Sequence, residues 1–592
     1  MIPRALRLAQ PVRLVPVSFR RSLSSSSLRY SSELARKKPD TTASPRFRYS
    51  GFSPNQSFAI SFLTIFGAGA LGYALSSLLE SQGVHLFSSA PPKNTPLDLD
   101  PKDESVTGPG TFRPVHGSKK AYDAAIVALR ASFQKKGKED NVSTDEDDLR
   151  SHGINDWSYH GSHPASVVVW AESIEDVKEV VDISRKFKVP ITPYSGGTSL
   201  EGHFSSPYAG ISLDMSRMDR ILQINEADGD VVVEPGVKWE DLNAELKKKG
   251  IPLFFPLDPG PGATIGGMMS TGCSGTNAVR YGTMRGEWVL NATVMLPNGD
   301  IIKTRQRSRK SSAGWDTTKM FIGAEGTLGI ILQATLKLAP LLPTRVAVVS
   351  FDTGVEAAVR AATETVTAGL PIQCVEFLDA LTMKAINQGG LAGREFKEKD
   401  TLFFKLQGSD RSMGEIAETL QAITKKQGGI GFEFAGSDAE AEAAWQGRKA
   451  ALWSVQALKE NGRVWTTDVC VPISKLPQLV RETSEDAVRR GLLACHFGHV
   501  GDGNVHSLFV FQNDEELEEI KDAVHVMVER AIALDGTSSG EHGAGMGKAE
   551  FLKPELGEET VRLMHTIKRT IDPDNLFNPG KIYVDIKPTQ RE

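Results

Sequence analysis

The sequence predicts an α+β protein of two or three globular units behind a non-globular amino-terminal segment. Three observations lead there. The chain runs to 592 residues, more than a single core ordinarily serves. Its amino-terminal part is patterned unlike the rest, being arginine-rich, then uncharged, then rich in Pro, Asp and Ser. From Ala165 onward, β-branched runs alternate with amphipathic stretches and glycine-rich loops, the pattern of mixed strands and helices.

Composition bounds the function without naming it. A net charge of -5 on a chain of this size makes no field that would recruit nucleic acid, so no nucleic-acid partner is expected. Cys273, Cys374, Cys470 and Cys495 are far apart and form no C-x-x-C pair, which argues against a disulfide scaffold and a thiolate zinc site. Buried free thiols are expected instead.

Arg4, Arg7, Arg13, Arg20, Arg21 and Arg29 are interleaved with apolar residues and serines, and no acid precedes Glu33. That pattern predicts a mitochondrial transit peptide over 1–50. No charged residue falls between Tyr49 and Leu79, and 58–79 is long enough to cross a bilayer as one helix. The basic flank precedes this span, so the catalytic part is expected across the inner mitochondrial membrane, facing the intermembrane space. Residues 80–150 read as linker and extension.

The folded part opens with a strand at Ala165–Trp170, a helix capped by Ser173 with Asp176, and a second strand at Val189–Tyr194. This strand leads into Ser-Gly-Gly-Thr-Ser-Leu-Glu-Gly-His, residues 195–203. Small residues there let consecutive backbone N–H groups converge on an anion such as a diphosphate, although a plain tight turn would look the same. A second small-residue stretch, Pro261–Gly286, and a third, Glu325–Ile330, make packing alone an insufficient explanation. Gly260-Pro-Gly262 is followed by Gly266, one residue too late for a nicotinamide fingerprint, and no P-loop motif occurs.

These three segments, with HFGHVGDGNVH, GEHGAGMGK and DPDNLFNPGK further on, resemble the vanillyl-alcohol-oxidase flavoproteins with their PCMH-type FAD-binding domain. The resemblance covers roughly 161–581. It implies a two-subdomain FAD-binding domain at 161–340, an α+β cap domain with an antiparallel sheet at 341–535, and a segment at 536–592 returning to the FAD domain. It implies that Ser195, Gly196, Gly197, Thr198 and Ser199 hold the diphosphate of FAD, with Pro193, Gly202 and His203 beside them. Pro261, Thr264, Gly266, Gly267, Ser270, Thr271, Gly272 and Gly275 would line the isoalloxazine and ribityl side, followed by Asn277, Tyr281 and Gly282. Glu325, Gly326, Thr327, Gly329, Ile330 and Asn578 would complete the pocket. Thr198 falls near the place where some relatives attach flavin to a histidine, and His203 comes later, so non-covalent FAD is expected.

His499 and His506 flank a glycine-containing turn between two β-prone runs, so one hairpin can present both imidazoles. Glu541 arrives from a glycine-flanked loop, and two histidines with a carboxylate make a catalytic zinc set. A histidine pair at this spacing is also common in purely structural roles. The resemblance favours ligation by His499, His506 and Glu541 of a divalent metal, zinc or manganese, with His496 as a neighbour easily mistaken for a ligand. It further implies His542 as general base and Arg448, on a helical run at Ala439–Glu460, as substrate-carboxylate clamp. The activity implied is oxidation of D-2-hydroxy acids, D-lactate foremost, with electrons passed to cytochrome c. Relatives acting on D-2-hydroxyglutarate or glycolate are the alternative. By the resemblance, the hydroxyglutarate enzymes look as if they carry a lysine near Thr466-Thr467-Asp468 for a second carboxylate, and its absence here favours a monocarboxylate.

Overall fold

The structure, a computed structural model, describes residues 114–583 and 589–590. The expected transit peptide at 1–50 and membrane span at 58–79 lie outside the described residues. Among the described residues, no helix is long and apolar enough to cross a membrane.

The amino-terminal sheet is four-stranded. Strands β1 (Val142–Ser143), β2 (Val167–Trp170), β3 (Ile191–Tyr194) and β4 (Ile211–Asp214) lie in the order β1-β2-β4-β3, parallel apart from β1. Helix α1 (Lys119–Lys135) and helix α2 (Ile174–Phe187) share one core with this sheet. Ser173 caps α2 by accepting from Asp176 N, as the sequence predicts, while the Asp176 carboxylate turns to Lys136 and Lys138. Helix α1 falls within the stretch expected to be linker. Tyr122, Ala125, Leu129 and Phe133 recur at helical spacing among exposed charges and are buried, so the globular unit begins earlier than the charge pattern suggests.

The second sheet is antiparallel throughout. Strands β5 (Ile221–Asn225), β6 (Asp230–Val233), β7 (Val289–Met295), β8 (Ile301–Lys303) and β9 (Ile330–Lys337) run in the order β8-β7-β9-β6-β5. The Asn298-Gly299 signal marks the β7–β8 hairpin. Helix α3 (Ile265–Thr271), capped by Thr264 Oγ1 on Gly267 N, places the second small-residue stretch over this core.

The cap domain carries an eight-stranded sheet. Strands β10 (Thr344–Phe351), β11 (Ile372–Leu378), β12 (Asp400–Gln407), β13 (Gly429–Phe434), β14 (Arg463–Thr466), β15 (Val469–Cys470), β16 (Leu493–Gly498) and β17 (Asn504–Phe511) follow the order β13-β10-β12-β11-β16-β17-β14, with β15 also on β17. All its pairings are antiparallel. Helix α4 (Asp438–Gln456) covers one face, and Val355–Thr367, Leu476–Arg490 and Asp514–Ala533 cover the other. The final helix, α5 (Glu558–Ile571), leads the chain back to the amino-terminal sheet, where Phe577 bridges Ile191 and Asn578 N donates to the Ile191 carbonyl.

Candidate active site

The three small-residue segments surround one cavity of about 280 Å³. Pro193, Ser195, Gly196, Gly197, Thr198, Ser199 and His203 line it from the loop after β3. Thr264, Gly266, Gly267, Ser270 and Thr271 line it from α3, and Glu325, Gly326, Gly329, Ile330 and Asn578 complete it. Glu541 and His542 form part of the same wall. Ser195 Oγ is buried without a hydrogen-bond partner, and no backbone N–H of residues 195–199 donates to an acceptor among the described residues. Unpaired backbone donors beside a buried, unpartnered hydroxyl on a glycine loop fit an anion. A Cβ on Gly196 would stand 2.8 Å from the Gly262 carbonyl oxygen, and one on Gly326 2.9 Å from the Pro193 ring, so the close approach of these loops requires glycine. The residues present therefore fit the diphosphate and flat ring system of FAD.

The other expected cofactor residues shape the walls without lining the cavity. Gly202, Gly272 and Gly282 take positive φ at turns, and Gly272 ends α3. Gly275, also at positive φ, passes so near Asp258 that a Cβ would stand 2.6 Å from its carbonyl. Pro261 is exposed at the adjoining turn, and Thr327 Oγ1 donates to the Ala324 carbonyl. Asn277 and Tyr281 differ most from expectation, because their side chains turn to the cap domain. Gln373 donates to Asn277 Oδ1 at 3.0 Å, and Tyr281 donates to Gln407 at 3.2 Å. Both serve the domain junction.

The histidine and carboxylate set converges. His499 follows β16, His506 lies within β17, and the Nε2 atoms of both stand 3.2 Å from one oxygen, Glu541 Oε1. Each histidine has an acceptor behind it: His499 Nδ1 is 2.7 Å from Glu376 Oε1, and His506 Nδ1 is 3.0 Å from the Thr467 carbonyl. A carbonyl only accepts, so His506 carries its proton on Nδ1 and turns the Nε2 lone pair toward the carboxylate. A lone pair facing a carboxylate oxygen at that distance is repelled unless a cation or a proton lies between. Bonds of about 2.0–2.1 Å to a tetrahedral divalent ion place ligand atoms about 3.3–3.4 Å apart, so the spacing fits such an ion. Ser274 Oγ donates to the other oxygen, Glu541 Oε2, at 2.6 Å and leaves Oε1 facing the histidines.

Behind this set lie three carboxylates that sequence reasoning did not assign to the site, Glu376, Asp468 and Glu201, together with Ser274 of the second small-residue stretch. Asp468 is fully buried between β14 and β15, and its Oδ2 accepts from Glu541 N, His542 N and Ser539 Oγ. Burial opposes its charge, yet His542 and Lys548 hold its pKa well below the usual range. Glu201 receives Lys548 at 3.1 Å and His160 at 2.9 Å, and it stands 3.5 Å from His542 Nδ1. Burial disfavours the His542 cation, but Asp468 and Glu201 outweigh it and raise its pKa. The Glu325 carboxylate accepts from Ala544 N and Gly545 N, so this expected cofactor residue also pins the loop bearing Glu541 and His542. Unlike Glu325, the buried carboxylate of Glu376 has no local sequence signature.

Arg448 projects from α4, its Nε bonded to Glu376 Oε2 at 2.9 Å and its guanidinium 4.6 Å from the centre of the Phe497 ring. His496 points away from the ligand set, between Ser507 Oγ at 2.8 Å and Ser484 Oγ at 2.9 Å. All four cysteines are free, and Cys273 lines the cavity, its thiol pushed well up by burial and then by Glu541.

Residues 165–305 match the family described as FAD binding domain, and residues 343–582 match that described as FAD linked oxidases, C-terminal domain. Fold and site together define a two-domain, FAD-linked oxidoreductase. The chain is 41% identical over 489 residues to the protein of Arabidopsis thaliana named D-lactate dehydrogenase (cytochrome), mitochondrial, covering 82% of this chain and 84% of that one. It is 38% identical over 538 residues to the protein of the same name in Kluyveromyces lactis, covering 88% and 89%. The chain belongs to the family of FAD-linked oxidoreductases that these two relatives represent. Its fold is that of p-cresol methylhydroxylase solved with substrate bound, at a TM-score of 0.64 and 17% identity over 80% of this chain and 99% of that one.

Proposed function

We propose that the protein oxidises D-lactate to pyruvate and passes the electrons to cytochrome c at the inner mitochondrial membrane, with its catalytic part facing the intermembrane space. The reading is carried by the convergence of His499, His506 and Glu541 beside His542 on the cavity wall. The names of the relatives and the arginine-rich amino terminus support substrate, acceptor and location.

Bound FAD supplies the acceptor for the α-hydrogen as hydride, and a divalent cation, zinc or manganese, supplies the Lewis acidity that lowers the hydroxyl pKa. The diphosphate is held non-covalently by the backbone donors of 195–199, and His499, His506 and Glu541 hold the cation. Arg448 fixes the carboxylate end of the substrate through its Nη atoms, which make no hydrogen bond to a described residue. His542 takes the hydroxyl proton at Nε2, since its Nδ1 faces Glu201.

Preference for a monocarboxylate is supported by the segment at Thr466–Asp468. Thr467 Oγ1 is committed to the Ser507 carbonyl and Asp468 to the catalytic loop, so this segment offers no cation to a second carboxylate. Steady-state turnover on D-lactate, L-lactate, glycolate and D-2-hydroxyglutarate tests the assignment. The highest kcat/KM is expected with D-lactate, and preference for the dicarboxylate or for the L-enantiomer would overturn it.

A further inference from the structure

Glu376 is wholly buried near the end of β11, in the middle of the cap sheet, where a lone carboxylate would be costly. Its two oxygens are divided between two partners. Oε1 receives His499 Nδ1 at 2.7 Å and Oε2 receives Arg448 Nε at 2.9 Å. The partners come from different elements, since His499 follows the β16 hairpin strand and Arg448 sits on α4. The β11–β16 register, Phe377 opposite Gly498 and Leu378 opposite Phe497, brings Glu376 beside His499. Phe497 of the same strand supports the Arg448 guanidinium from its face. With Nε tied to Glu376 and one face on Phe497, the guanidinium has a single direction left for its Nη edge.

From this geometry we infer that Glu376 is the positioning residue that aims the metal ligand and the carboxylate clamp together. This rests on the functional reading above. The substrate of that reading offers its hydroxyl to one side and its carboxylate to the other, a few ångströms apart. A single rigid carboxylate that fixes the tautomer of His499 and the rotation of Arg448 sets the span between the two recognition points. A carboxylate behind a ligating histidine makes the imidazole a stronger ligand, and losing such a partner typically weakens metal binding roughly 10–100-fold. Glu376 differs from such a partner in that its second oxygen carries the clamp. Metal retention and substrate KM are therefore expected to fail together when it is changed.

The test uses the full-chain flavoprotein and Zn²⁺ as the probe, with zinc retention against a competing chelator measured alongside KM and kcat for D-lactate. Glu376→Gln keeps the shape but puts an amide N–H against one donor. It is expected to lose zinc affinity roughly 10–100-fold and to raise KM, whereas Arg448→Met raises KM and retains zinc as the parent does. A Glu376→Gln protein that keeps zinc within about twofold of the parent, or loses zinc with KM unchanged, would overturn the inference. Should that variant not fold, Glu376→Asp, which keeps the charge but reaches one partner only, must impair zinc retention or KM, and parental values for both would overturn it. A parent protein that binds no zinc and no manganese would instead sink the functional reading itself.

Discussion

His496 and His542 show one side-chain type put to opposite uses. Two serines satisfy His496, and burial pushes its pKa down to about 4, so it is neutral in the folded protein. A histidine depressed below its unfolded value stabilises the fold above pH of about 6.5, and that contribution is lost as pH falls through about 4, because the unfolded chain binds the extra proton. The urea midpoint is therefore expected to drop between pH 6.5 and 4.5, and to drop less in His496→Gln, whose amide does not titrate; equal drops would contradict the assignment. His542 instead faces Asp468 and Glu201 on the cavity wall, where a titrating imidazole is useful. Its place beside Glu541 on the cavity wall was legible because Gly540 and Gly543 flank the pair in a recognisable motif. Glu376 was not legible, since Ile372–Leu378 reads as a buried strand and the partners of its one carboxylate lie 72 and 123 residues away.

At the scale of elements, the loop from Ser539 to Gly547 has no regular ladder and is held by acceptors from outside itself. Asp468 takes two of its N–H groups, the Glu325 side chain takes two more, and the Glu201 carbonyl takes those of Met546 and Gly547. Buried N–H groups deprived of acceptors cost about 1–3 kcal/mol each, so the loop keeps its place only while those carboxylates are present. Glu325→Ala is expected to speed hydrogen exchange across 541–547 and to lower kcat, with exchange in β11, β16 and β17 unchanged; unaltered exchange in the loop would contradict this. Most elements were legible from period and punctuation. The strands expected at Ala165–Trp170 and Val189–Tyr194 form as Val167–Trp170 and Ile191–Tyr194, and the helix expected at Ala439–Glu460 ends at Gln456. Helix α1 escaped notice because its four buried residues are outnumbered by charges, and only the sheet beneath reveals which face they make.

At the scale of the whole molecule, the proposed mechanism draws on residues of both domains, and specific contacts hold the domains together. Asn277 with Gln373 and Tyr281 with Gln407 tie the FAD-binding domain to the cap, while Asn578 ties the carboxy-terminal segment to the Glu325 carbonyl. The three glycine-rich segments announced the cofactor cavity from sequence, whereas these junction contacts, between residues far apart in the chain, did not announce themselves. The proposed topology predicts that external protease reaches the catalytic part in mitoplasts but not in intact mitochondria, and protection in mitoplasts would contradict it. The central claim joins a cation held by His499, His506 and Glu541 to proton removal by His542 next to flavin. Its most direct test is anaerobic mixing with D-lactate while following the flavin absorbance near 450 nm. Bleaching is predicted for the intact protein and its loss both after chelation of divalent ions and in His542→Ala, roughly 10²–10⁴-fold slower in the latter. Undiminished bleaching by the metal-stripped protein would contradict the account.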